Sequence, residues 1–226
     1  MRKRSQVNDA QRANGIRPVP RNDRQAEYIH ALETQSQVFA LGPAGTGKTF
    51  IAASMAAISY LRNRVKRIIL TRPAVGLGGE SLGFLPGKLE AKMAPWTQPV
   101  MEILEEGIGK QGVFDAIREG NIVVEAFQHM RGRTYRDAFV ILDEAQNTTP
   151  EQMKAFVTRI GDGSIVVIDG DVEQSDLGPR NGLSMAVRMV EQYGIDAGVV
   201  TFTSEDVVRS DICKQWVQAF EMERAP

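Results

Sequence analysis

Six short apolar runs punctuate the chain, and none of them alternates with polar residues. They are Gln37–Leu41 (QVFAL), Arg67–Thr71 (RIILT), Asn121–Ala126 (NIVVEA), Ala138–Leu142 (AFVIL), Ser164–Asp169 (SIVVID) and Gly198–Thr203 (GVVTFT). A strand with one face in water alternates apolar and polar side chains. An unbroken run needs apolar cover on both faces, which is the condition inside a parallel sheet flanked by helices. The intervening segments supply those helices. Thr46–Leu61 carries apolar residues at helical spacing, and Lys88–Glu106 reads as a helix interrupted by Pro95 and Pro99. Thr149–Ile160 has Pro150 at its first helical position behind a Thr148 or Thr149 cap, and Gly182–Tyr193 and Val207–Phe220 follow. Residues 73–87, rich in glycine and proline, form a loop. The expected class is α/β, a mostly parallel central sheet of about six strands with helices on both faces.

A length of 226 residues suits a single domain, and 42% hydrophobic with 24% charged residues is ordinary globular composition. The single cysteine, Cys213, cannot form an internal disulfide and falls in a helical pattern with Trp216 and Phe220, where it reads as a packed thiol. His30 and His129 are far apart and have no cysteine partner, so no zinc site is supported. No run reaches the roughly 18 apolar residues of a membrane span. The basic N-terminus is not followed by the apolar stretch of a secretory signal. The expectation is a cytoplasmic protein with no membrane partner. A net charge of −1 excludes coating of nucleic acid through bulk charge, but it hides an asymmetry. Residues 1–24 hold seven basic side chains against Asp9 and Asp23, a net +5, leaving −6 for the remainder. Residues 1–22 therefore read as a flexible basic arm ahead of a domain at 23–226. Such an arm either touches RNA or DNA phosphates or is a solvated tail.

The chemistry begins at Gly42-Pro43-Ala44-Gly45-Thr46-Gly47-Lys48-Thr49, which fits G-x-x-x-x-G-K-[ST] between an expected strand and an expected helix. The glycines allow successive backbone N–H groups to point inward, and the helix N-terminus adds partial positive charge toward a phosphate. Lys48 is expected to reach the β- and γ-phosphates, and the Thr49 hydroxyl to ligate Mg²⁺. Asp143 and Glu144 close the Ala138–Leu142 run. Asp143 is expected to hold Mg²⁺ through water, with Glu144 as the general base that polarises the attacking water. An acidic pair at a buried strand end makes little sense without a cation to offset it. Ile168-Asp169-Gly170-Asp171-Val172-Glu173-Gln174 also follows a buried run. It reads equally well as part of the same site, with Gln174 on the γ-phosphate and water, or as an Asp- and Gly-rich turn.

These residues, with Thr71-Arg-Pro-Ala-Val75, Leu82-Gly-Phe-Leu-Pro-Gly87, Met130-Arg-Gly-Arg-Thr134 and Ile141-Leu-Asp-Glu-Ala-Gln-Asn-Thr-Thr-Pro150, resemble the PhoH-like ATPase family from about residue 20 onward. That family is similar to the RecA-like motor core of superfamily 1 helicases. The resemblance implies ATP and Mg²⁺ as ligands, with Gln25 reading adenine and Gln174 sensing phosphate. It places Arg72 where related motors contact nucleic acid, and makes Arg131 and Arg133 contacts to nucleic acid or to a phosphate at an interface. Arg209, in Asp206-Val-Val-Arg209, becomes an arginine finger offered to a neighbouring subunit. One lobe lacks the opposing arginine of a two-lobed motor, which implies a homo-oligomer, a hexameric ring being favoured, with ATP at its interfaces. Nothing supports the nuclease activity of longer relatives. The leading expectation is an ATPase acting on RNA or single-stranded DNA. The alternative is an ATP-gated nucleic-acid-binding assembly with little turnover.

Overall fold

The computed structural model describes residues 16–73, 89–130 and 134–208, with isolated positions between 212 and 223. Arg131, Arg133 and Arg209 lie outside the described residues, as do Cys213, the loop at 74–87 and the first fifteen residues of the arm. All six apolar runs are strands: β1 (Gln37–Leu41), β2 (Arg67–Arg72), β3 (Ile122–Ala126), β4 (Ala138–Leu142), β5 (Ile165–Gly170) and β6 (Gly198–Thr201). They form one sheet in the order β3-β2-β4-β5-β1-β6, and every pairing is parallel.

The unbroken runs are explained by their cover. On one face Val38, Ala40, Ile68, Leu70, Phe139, Ile141 and Val167 pack against α1 (Asp23–Thr34), α2 (Lys48–Leu61), α3 (Leu89–Ile108) and α4 (Lys110–Arg118). On the other, Phe39, Leu41, Ile69, Val140, Leu142, Val166 and Ile168 meet α5 (Pro150–Val157) and α6 (Gly182–Tyr193). Consecutive residues of one strand thus enter two different apolar cores, the period-2 geometry of a strand acting on a sequence with no polar face.

Local signals set most boundaries. Thr149 caps α5 through a capping box, accepting from Gln152 N while the Gln152 side chain accepts from Thr149 N, with Pro150 at the first helical position. Helix α3 runs through both Pro95 and Pro99 instead of breaking at them, with Val100, Leu104 and Ile108 buried on the sheet. Tertiary burial outweighs the lost backbone donors there. Helix α4 has no strong sequence signal, since only Val113 and Ala116 are buried along it. At the start of the described chain, Ile16 packs against the first core and Arg17 pairs with Glu33 at 2.7 Å, so the arm's last residues rest on the domain.

Parallel pairing puts all strand carboxyl ends on one edge. Arg72 ends β2, Asp143 follows β4, Asp169 lies near the end of β5 and Gly42 follows β1. These four strands are adjacent in that order, so residues far apart in sequence form one row. The row is tied by backbone bonds from Asp143 N to Thr71 O and from Gly42 N to Gly170 O, both 3.0 Å.

Candidate nucleotide site

The loop from Gly42 to Gly47 turns because its glycines take backbone angles closed to other residues. Gly42 has φ +127° and Gly47 has φ +89°. Space is as strict as angle. A Cβ on Gly42 would lie 2.2 Å from the Phe202 carbonyl oxygen, and one on Gly47 would lie 2.8 Å from Gln25 Nε2. The loop is clasped from both ends of the domain. Gln25 donates from Nε2 to Thr46 O (2.9 Å) and accepts at Oε1 from Arg21 N (2.9 Å), while Val208 N donates to Gly45 O (3.0 Å). Asn22 caps α1 through its side-chain oxygen and donates from Nδ2 to Asp206 O, so the two clasping segments are joined.

The loop borders a cleft of about 300 Å³ lined by Gly42, Ala44, Gly45, Gly47, Lys48, Thr49, Asp143, Glu144, Asp169 and Gln174, among others. Six of the eight motif residues thus face one space with both expected acidic residues and Gln174. Lys48 is buried, and its Nζ donates to Gly42 O (2.8 Å) and Pro43 O (2.9 Å), 3.8 Å from Asp169 Oδ1. Thr49 donates its hydroxyl to Asp169 Oδ2 at 3.1 Å. Burial pushes the Asp169 carboxyl up to about 7 against the pull of Lys48, and burial also raises Asp143, with Arg72 opposing it.

Glu144 sits in the left-handed region at φ 54°, ψ 40°, an uncommon conformation for a non-glycine residue. Its Oε2 accepts from Gln146 Nε2, and its Oε1 lies 3.4 Å from Arg72 Nη2. The same guanidinium reaches Asp143 Oδ2 at 3.6 Å. Arg72 therefore faces the acidic pair, a quarter of its side chain exposed. Gln146 is buried, and its Oε1 also accepts from Asp171 N, so it joins the segments after β4 and β5.

The donor set fits Mg²⁺. A small hard cation is held by one or two carboxylates plus phosphate and water, not by a protein cage. The site offers the Thr49 hydroxyl and the carboxylates of Asp143 and Asp169. Among the described residues there is no cluster of three or more His, Cys, Asp or Glu suited to hold a metal unaided.

Sequence reasoning missed Asp169 and Gln146 as site residues. The available signal for Asp169 is that it closes a buried run just as Asp143 does. Gln146 offers no signal beyond its place in Asp143-Glu144-Ala145-Gln146, because its work is to bridge two distant loops.

A strand–loop–helix cradle with a buried lysine, facing an acidic pair on a nearby strand of a parallel sheet, defines an α/β fold of the P-loop NTPase class. Over residues 18–221 the chain matches the family described as PhoH-like protein, and it belongs to that family. The PhoH-like protein of Mycobacterium tuberculosis (strain ATCC 25618 / H37Rv) is 44% identical over 219 residues, covering 96% of this chain and 61% of that protein. Protein PhoH of Escherichia coli (strain K12) is 42% identical over 206 residues, covering 89% and 58%. The chain thus spans about three fifths of the length of these curated relatives. Among solved structures, the Sulfolobus solfataricus SWI2/SNF2 ATPase core in complex with dsDNA matches at TM-score 0.49 and 10% identity, over 83% of this chain and 45% of that one. No helix among the described residues is long and apolar enough to cross a membrane.

Gly42→Ala is expected to cost at least about 2 kcal/mol of stability, from left-handed backbone strain and overlap with Phe202 together. Urea unfolding measures this, and an unchanged midpoint would contradict the close approach of Phe202 to the loop.

Proposed function

We propose that this chain is a Mg²⁺-dependent ATPase acting on RNA or single-stranded DNA. The observation that carries the reading is the convergence of the Lys48 loop, Thr49, Asp143, Glu144 and Asp169 on one cleft. In this reading the N–H groups of Ala44, Gly45, Thr46 and Gly47 cradle the phosphates at the N-terminus of α2. Lys48 leaves its loop carbonyls for the β- and γ-phosphates. Thr49 and Asp143 hold Mg²⁺, and Asp169 orients the Thr49 hydroxyl. When bound, the cation neutralises charge building on the β- and γ-phosphate oxygens. Glu144 takes the proton of a water as its oxygen bonds to the γ-phosphorus, the bridging oxygen leaves with ADP, and Gln174 contacts the γ-phosphate.

The finer assignments rest on the family resemblance. A trans-acting arginine is worth roughly 10³–10⁵ in rate for this chemistry. Arg209 supplied to a neighbour's ATP would make the active form a homo-oligomer, with a hexameric ring favoured. Arg72, at the carboxyl edge of the sheet, and Arg131 and Arg133 would meet nucleic acid, and for Arg72 that contact requires release from the acidic pair. Residues 1–22 would be a basic arm on a catalytic domain at 23–226, working in the cytoplasm. The engagement of both Glu144 oxygens supports a low resting turnover, as in an ATP-gated assembly that holds nucleic acid between rare hydrolytic events.

Glu144→Gln is expected to lower phosphate release by about 10²–10⁴-fold while ATP still binds, read by a phosphate-release assay beside equilibrium binding. Unchanged release would end the assignment of Glu144 as the base. Asp169→Asn is expected to weaken Mg²⁺ dependence by about 10–100-fold, as loss of an orienting partner does, with Mg²⁺-free nucleotide binding little changed. Gln25 has both ends of its amide committed, to Arg21 N and Thr46 O. Reading adenine would require it to exchange one of these bonds. Gln25→Ala is therefore expected to weaken ATP and GTP together, through the loop. A loss confined to ATP in competition binding would mark base reading instead.

A further inference from the structure

One guanidinium spans both acidic residues of the site. Arg72 Nη1 lies 3.6 Å from Asp143 Oδ2, and Nη2 lies 3.4 Å from Glu144 Oε1. This is built into the sheet. Strand β2 pairs with β4 in the register Thr71↔Leu142, and Asp143 N donates to Thr71 O, so Arg72 and Asp143 leave the edge side by side. The other cation of the site is committed elsewhere, since Lys48 turns to the carbonyls of Gly42 and Pro43 and toward Asp169. Glu144 is gripped from two sides, by Arg72 at one oxygen and by Gln146 at the other. A carboxylate held at both oxygens must give up one of these contacts before it can face an attacking water.

We propose that Arg72 is a resident substitute for the divalent cation, a positioning residue that neutralises Asp143 and Glu144 until Mg²⁺-nucleotide displaces it. The proposal rests on the reading of Asp143 as a Mg²⁺ ligand and Glu144 as the base. A guanidinium facing Asp143 repels a divalent cation held at that carboxylate through water. Binding and release of the base are therefore one event. While Arg72 holds the pair, one oxygen of Glu144 is kept against the guanidinium. With a divalent charge held at Asp143, Arg72 would be repelled from the pair, and the Glu144 oxygen that faced it would become available to a water. Burial raises the Asp143 carboxyl and Arg72 is the largest influence acting against that rise, which agrees with its role as the pair's counter-ion.

The test is equilibrium binding of a fluorescent ATP analogue to the full chain across a Mg²⁺ titration, for wild type, Arg72→Gln and Arg72→Lys. Arg72→Gln removes the competitor, so half-saturation is expected at about fivefold lower Mg²⁺, the upper end for an ion pair still reached by solvent. Arg72→Lys keeps the charge but loses the two-armed fork that reaches both carboxylates, so a smaller shift is expected, to about twofold lower Mg²⁺. Mg²⁺ without nucleotide is expected to raise the melting temperature of Arg72→Gln more than that of wild type. Arg72→Met, which keeps apolar length without charge, gives the same readout should the glutamine variant fail to fold. A Mg²⁺ requirement for Arg72→Gln equal to or above wild type overturns the proposal. The outcome is separable from the function itself: wild-type phosphate release by Glu144→Gln would sink the assignment of Glu144 as base, whereas an unshifted Mg²⁺ titration with an inactive Glu144→Gln would sink the Arg72 role alone.

Discussion

The acidic groups of the site, and Arg72 with them, sit where a strand of the central sheet comes to its end. Inside the sheet, Val140, Ile141, Val166 and Val167 leave no room for a polar atom without a partner. A charge can be placed only at an edge, and parallel pairing gives all the strands the same carboxyl edge. Arg72, Asp143, Asp169 and Gly42 mark the ends of four neighbouring strands, and the register of those strands sets the spacing of their side chains. The site is thus a boundary condition of the sheet. Strand β5 lies between β4 and β1, and this insertion puts Asp169 between the acidic pair and the lysine loop.

The charges gathered there do not cancel. Asp143, Glu144 and Asp169 face Lys48 and Arg72, and burial pushes both aspartates up from their usual range. Lys48 answers part of this at Asp169 and Arg72 answers part at Asp143 and Glu144. The remaining negative charge favours a further cation, and the left-handed backbone at Glu144 holds that side chain across the cleft, where an unstrained extended residue would continue the strand direction.

The strands and the cradle were legible because each is written locally. An unbroken apolar run states that both faces are covered, and three glycines with Lys48 and Thr49 state a phosphate-shaped turn. The order of the strands is not written in any run, so the neighbours of β5, and with them the role of Asp169, could not be read. Asp169-Gly170-Asp171 has the composition of a turn as well as of a site. Arg72 closes a strand in plain view, yet its partners lie on a different strand across a register that no local pattern records. Helix α3 defeats the local rule outright, because burial of Val100, Leu104 and Ile108 holds it helical through Pro95 and Pro99.

Even the cradle is less self-contained than its motif suggests. Glycine supplies freedom to turn but no reason to keep one turn rather than another. The shape comes from outside: Gln25 holds the Thr46 carbonyl, Val208 holds the Gly45 carbonyl, Phe202 fills the space over Gly42, and Asn22 ties the first of these elements to the last through Asp206. The first helix and the segment after the last strand therefore close on the loop from opposite ends of the domain. A chain with Gly42–Thr49 but without those partners would carry the residues for phosphate binding and lack the preorganised N–H groups, and most of the affinity would then be lost to ordering the loop at each binding event.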